Sequence, residues 1–183
     1  MKNLRILFLL LISIALSAQN TKTETELKTQ APDYSMQVAS IDSIVKTLYS
    51  VVSGAKGEKR NWDLFKQLFQ KNARLIPTGK NNENKIMARY LTADSYIETS
   101  GKWLVENGFY EVEINRKVDI FGNIAHVFST YESFKSKSDT EPFMRGINSI
   151  QLLNDGERWW IVNIYWMQES EEYPIPPDYL PKQ

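Results

Sequence analysis

The chain has 183 residues, with 22 Lys or Arg balanced by 22 Asp or Glu, one histidine and no cysteine. At 42% hydrophobic and 12% aromatic it is too apolar to stay disordered. The missing cysteines exclude disulfide scaffolds, thiolate metal sites and cysteine nucleophiles, and zero net charge argues against a phosphate-driven nucleic-acid binder.

Residues 1–18 read as a secretory signal peptide. Lys2 and Arg5 are basic, Ile6 to Leu16 is almost wholly apolar, and Leu16-Ser17-Ala18 offers small residues before Gln19. The apolar run falls short of the ~20 residues that span a bilayer, and no cysteine follows it for lipid attachment. The expected product is an exported bacterial protein, periplasmic or secreted, with no membrane anchor after cleavage. Cleavage removes two basic residues and no acidic ones, leaving 20 against 22 and a formal charge of −2.

Residues 19–39 form a polar leader rich in Thr, Lys, Glu and Gln. Ile41, Ile44, Val45, Leu48, Val51 and Val52 then recur at helical spacing, with Ser40 as N-cap and Gly54 as a stop. A charged connector follows, from Gly54 to Arg60. A second short helix starts after Asn61, carrying Trp62, Phe65, Leu68 and Phe69. Ala73 to Pro77 reads as a short strand, with Lys85 to Leu91 as its hairpin partner. Thr92 caps a third helix through Tyr96, Ile97, Trp103 and Leu104, stopped by Asn107-Gly108. Beyond Gly108 the period becomes two. Phe109–Phe121, Ile124–Lys135, Pro142–Leu153 and Arg158–Gln168 read as long strands with short turns, which forces antiparallel pairing. Residues 171–183 are a proline-rich tail. Three N-terminal helices on a bent antiparallel sheet make an α+β domain over 40–170.

This order, ending in Asn154-Asp155-Gly156-Glu157-Arg158-Trp159-Trp160-Ile161-Val162, resembles the nuclear transport factor 2-like superfamily over Ser40 to Gln168. The superfamily includes ketosteroid isomerases, SnoaL-like cyclases and the association domain of calmodulin-dependent kinase. The resemblance implies a cone-shaped, cystatin-like fold with an internal pocket for a small, partly apolar molecule. It implies no cofactor. An isomerase-like site needs a carboxylate base with tyrosine and acid donors. Tyr49 suits the tyrosine position, but Asp63 and Asp94 are explained as helix-start residues. A dehydratase-like site needs a histidine, for which His126 is available without an acid partner.

Strand alternation divides the last strand into two faces, both apolar. Trp159, Ile161, Asn163, Tyr165 and Met167 share one, which suits a pocket lining. Trp160, Val162, Ile164 and Trp166 share the other, which must be covered; the resemblance implies a second copy of the chain as cover, hence a homodimer, unless the proline-rich tail straps over it. Arg145 lies in an otherwise uncharged strand and needs either an anionic ligand or an acid; Glu132 on the preceding strand is the expected partner. Glu111, Glu113, Asn115, Lys117 and Asp119 alternate with apolar residues, as on a half-exposed strand. The acids show no metal-ligand spacing, and no phosphate loop or hydrolase elbow occurs.

The expected function is therefore an exported small-molecule-binding domain with Trp159, Asn163, Tyr165 and Arg145 at its ligand. The alternatives are an isomerase-, dehydratase- or cyclase-like enzyme using His126 or Tyr49, and a protein-interaction domain without ligand.

Overall fold

The computed structural model describes residues 32–182. The expected signal peptide and most of the expected leader lie outside those residues. Within the last leader residues, Ser35–Val38 form a 3-10 turn that buries Val38, at 1% exposed, while Ser35, Met36 and Ala39 stay exposed.

Helix α1 spans Ile41–Val52. Ser40 caps it reciprocally, its hydroxyl accepting from Ser43 N–H at 3.0 Å while Ser43 Oγ accepts from Ser40 N–H at 2.9 Å. Ile44, Val45, Leu48, Val51 and Val52 enter the core together, as their spacing demands. Helix α2, Trp62–Gln67, starts from Asn61, whose side chain accepts from Leu64 N–H at 2.9 Å. The third helix is interrupted. It runs as α3 (Ala93–Tyr96), widens into a π-helical segment (Ile97–Gly101), and resumes as α4 (Lys102–Asn107). Gly108 ends it at φ 74°, a left-handed conformation that glycine adopts without strain. No helix among the described residues is long and apolar enough to cross a membrane.

The sheet has six strands: β1 Phe69–Lys80, β2 Ile86–Ala88, β3 Tyr110–Phe121, β4 Ile124–Phe134, β5 Met144–Asn154 and β6 Trp159–Gln168. Their order is β2-β1-β6-β5-β4-β3. The last four form the expected antiparallel meander. One expectation is corrected: β1 is more than twice the expected length, and it pairs with β6 in parallel, so the sheet is mixed. The chain between β1 and β6 is long enough for such a crossover. The sheet curls around the helices without closing, and the core lies on its concave face. On that face Tyr131 lies over Gly146, its cross-strand partner, where a Cβ would collide with the Tyr131 hydroxyl and the Met167 carbonyl.

Two bulges determine which side chains reach this concave face. The β3–β4 register slips between Glu113 and Asn115, leaving Ile114 extra. The β5–β6 register slips opposite Gln151 and Leu152, leaving Val162 extra. One extra residue inverts the alternation on either side of it. Ile161 and Ile164, three apart, are consequently both in the core.

The tail crosses the outer face. Tyr179 packs on Phe128 with ring centroids 5.0 Å apart, and its carbonyl accepts from the Thr130 hydroxyl at 2.7 Å. The Leu180 carbonyl accepts from Asn115 at 3.1 Å, and Ile175 is buried. Thr130 is completely covered as a result.

Candidate functional site

Helices and sheet enclose a cavity of about 220 Å³, lined chiefly by Leu48, Phe65, Tyr96, Trp103, Phe109 and Tyr131, with Ile164 and Trp166 from β6. Two polar side chains enter from the strands: Glu111 from β3 and Asn148 from β5. The volume is below the roughly 300–1,000 Å³ of drug-sized sites, so an occupant is small.

The alternation along β3 predicts Glu111 and Glu113 on the solvent side. The Ile114 bulge turns both inward, while Val112 between them is left largely exposed. The two glutamates then meet different surroundings. Glu113 is fully engaged: it accepts from Arg116 Nε at 2.9 Å and from the Ser129 hydroxyl, and Arg116 reaches on to Asp42 in the first turn of α1. Glu111 has no side-chain hydrogen bond or ion pair among the described residues. Protein atoms enclose it, the cavity leaves part of its surface reachable, and desolvation pushes its carboxyl up to about 8. Burial, with Glu111 nearby, also raises the phenols of Tyr49, Tyr96 and Tyr131 above their ordinary range. All three therefore keep their protons at neutral pH.

Tyr49, the expected tyrosine of an isomerase-like site, stands behind the lining. Its hydroxyl accepts from Asn148 Nδ2 at 3.1 Å and meets Ser129 Oγ at 2.7 Å. With Ser129 donating to Glu113, a continuous relay runs from Asn148 through Tyr49 and Ser129 to Glu113. The relay fixes Asn148 and leaves Tyr49 no free valence toward the cavity.

The division of β6 into two faces is corrected by the Val162 bulge. Ile164 and Trp166, expected at a dimer interface, line the cone. Trp160 points away, with its indole N–H on Asp155 at 2.6 Å and the Arg158 guanidinium 3.6 Å above its ring. The three do not form one surface. Of the expected ligand residues, Trp159 packs against the core without lining the cone. Asn163 donates to Gln151 at 3.0 Å, and Tyr165 borders a separate groove of about 310 Å³ beneath the tail. His126 also stands on that outer face, its Nε2 2.9 Å from Ser149 Oγ. Arg145 is held bidentately by Glu169, at 2.7 and 3.1 Å. Glu132, its expected partner, is 3.9 Å away. Glu169, just past the end of β6, continues the β5–β6 register opposite Arg145, so both acids are its cross-strand neighbours, one on each side. Among the described residues, no group of three or more His, Asp or Glu side chains could hold a metal ion.

The comparisons with known proteins give the fold. No protein-family model matches the chain, and no curated protein matches it. Among solved structures, a protein with a cystatin-like fold from Nostoc punctiforme aligns with a TM-score of 0.54 at 9% identity, over 72% of this chain and 90% of that one. A candidate ketosteroid isomerase from Parabacteroides distasonis gives 0.50 at 9% identity, over 75% and 98%. A candidate calcium/calmodulin dependent protein kinase II association domain from Xanthomonas campestris gives 0.51 at 16% identity, over 72% and 86%. Identities this low carry the fold and nothing finer. The chain has a cystatin-like α+β fold, the fold that its sequence resemblance implies.

Proposed function

We propose that this chain is an exported small-molecule-binding domain whose site is the cone cavity, with Glu111 as its polar determinant. The supporting observation is one carboxyl without a protein partner inside a mainly apolar and aromatic cavity. Holding a half-buried carboxyl among aromatic rings with no protein partner carries a desolvation cost, which a core serving only the fold would avoid. A ligand that pairs with Glu111 removes that cost. Export rests on the signal-like residues 1–18.

A second reading rests on the same residue. A carboxyl near 8 gives or takes a proton close to neutral pH, as an isomerase- or lyase-like enzyme requires. Binding is preferred because Tyr49 is committed to Asn148 and Ser129, and burial raises the Tyr96 and Tyr131 phenols, so neither exchanges a proton near neutral pH beside Glu111.

Native mass spectrometry of the full chain, expressed in and purified gently from a bacterial host, tests these points together. Recovery without residues 1–18 and with additional small-molecule mass is the expected result. Retention of residues 1–18 argues against export, and failure to bind any added small molecule argues against the site.

The chain's own tail covers the outer face at Phe128 and Thr130, while Trp160, Ile164 and Trp166, expected at a homodimer interface, do not share one surface. We therefore expect a monomer by light scattering at micromolar concentration. Ending the chain at Ser170 uncovers Phe128, Ile147 and Tyr165, and the apparent mass should rise toward twofold. A full-length dimer whose mass is indifferent to the truncation would refute the strap.

A further inference from the structure

The cone's lining carries a chemistry that its fold does not dictate. Around Glu111 stand Phe65, Tyr96, Trp103, Phe109, Tyr131 and Trp166, and no Lys, Arg or His lines the cavity. The rings form connected walls. Phe65 and Tyr96 stack with centroids 5.4 Å apart, Tyr96 meets Trp166 edge-on at 6.4 Å, and Trp103 meets Phe109 at 6.3 Å. Aromatic faces carry negative charge density and attract cations, most strongly where water is excluded.

We propose that the cone binds a small organic cation, an alkyl- or arylammonium, with its charged head at Glu111 and its substituents against the aromatic walls. This rests on the reading of the cone as a binding site and names its ligand class. Three other chemistries fit less well. An anion would meet a carboxyl and find no basic side chain to receive it. A wholly apolar ligand would seal Glu111 in without a partner. A neutral carbonyl compound would use Glu111 as a proton-bearing donor, but would leave the cationic affinity of the surrounding rings unused. A cation satisfies the carboxylate and the rings together.

Ionising Glu111 to receive the cation weakens binding only modestly. With its carboxyl near 8, the affinity lost at pH 7 is about tenfold. An ion pair in a partly enclosed cavity, reinforced by several rings, offsets that factor. The titratable groups facing Glu111 are Tyr49 from α1, Tyr96 at the end of α3, Tyr131 from β4 and, further along β3, Glu113 paired with Arg116. The linings from α2, α4, β1, β5 and β6 contribute no charged group. The phenols lie above the ordinary range, so the pH dependence of binding reports on Glu111.

The test uses benzyltrimethylammonium, whose charge does not vary with pH, against acetophenone and phenylacetate. Binding to the full chain is followed by tryptophan fluorescence and calorimetry at pH 6 and pH 9. The expected result is that the cation binds tightest at pH 9. Its affinity should be on the order of 10- to 100-fold weaker at pH 6, where about one proton leaves per cation bound. Glu111→Gln should abolish that pH dependence and most of the cation's advantage while leaving acetophenone unaffected. A cation affinity that is flat or falls with rising pH overturns the proposal on the wild-type protein alone. Acetophenone or phenylacetate binding as tightly as the cation at pH 9 overturns the cationic class and leaves the binding site standing. Failure of all three to bind at millimolar concentration overturns both.

Discussion

Replacing Glu111 with Gln should leave stability at pH 5 nearly unchanged and raise it by about 3–5 kcal/mol at pH 9, seen as a difference of roughly 10 °C in Tm. The unfolded chain holds this carboxyl near its ordinary value of 4.5, whereas burial in the cone holds it near 8. The folded state therefore binds more protons than the unfolded state between those values. Stability associated with Glu111 is complete below about 4.5 and is lost as pH rises toward 8. Above 8, folding has to keep an ionised carboxylate among Phe109, Tyr96 and Trp103. Glutamine copies the shape of the protonated side chain and never ionises. The openness of the cavity to water makes the upper end of the range a ceiling. Thermal unfolding of wild type and Glu111→Gln between pH 5 and pH 9 reads the difference, in which other titrating groups cancel. Parallel curves across that range would mean that the carboxyl is solvated and is no anchor for a ligand.

The same residue shows where sequence reasoning succeeds and where it stops. Elements governed by local chemistry were legible. Ser40 and Thr92 cap the helices they were expected to cap, the second helix starts after Asn61 as expected, and Gly108 ends the third where its left-handed backbone is required. The short turns fixed the antiparallel meander. The site was not legible, because its composition depends on two extra residues. Ile114 and Val162 are β-branched and apolar, and nothing in their identity distinguishes a bulge from a paired position. A strict period of two, carried across Ile114, puts Glu111 into solvent. Carried across Val162, it exchanges the cone-lining Ile164 and Trp166 for the outer-facing Asn163 and Tyr165. One signal was available: on β6 both faces read as apolar, which a regular strand with one exposed face does not explain but a strand that switches faces does. The parallel β1–β6 pairing was hidden for a different reason, since strands separated by more than half the domain leave no local trace of their partnership.

The second large effect is expected at Arg60, in a segment that reads as a charged surface connector. Arg60 is only 7% exposed and forms no ion pair among the described residues. Backbone carbonyls satisfy its guanidinium instead. It donates to Val52 at 2.9 Å, Gly54 at 2.7 Å, Glu58 at 2.6 Å and Leu104 at 3.0 Å. Val52 and Gly54 lie at the C-terminal end of α1, where unpaired carbonyls and the negative end of the helix dipole favour a cation. Leu104 belongs to α4, so one side chain ties together two helices that both line the cone. Methionine preserves much of the aliphatic stem but donates nothing, leaving several partly buried carbonyls without partners at about 1–3 kcal/mol for each one that water cannot reach. Arg60→Met should therefore cost about 3–5 kcal/mol and lower Tm by roughly 10 °C. Arg60→Lys should recover only part of the loss, because a single ammonium cannot reproduce the fork that reaches α1 and α4 at once. Ligand affinity should fall in the same order, since α4 carries Trp103 into the cavity. Denaturant unfolding of the two variants decides it. A loss under 1 kcal/mol for Arg60→Met would show that water satisfies these carbonyls equally well, and that the two walls of the cone hold their positions without the arginine.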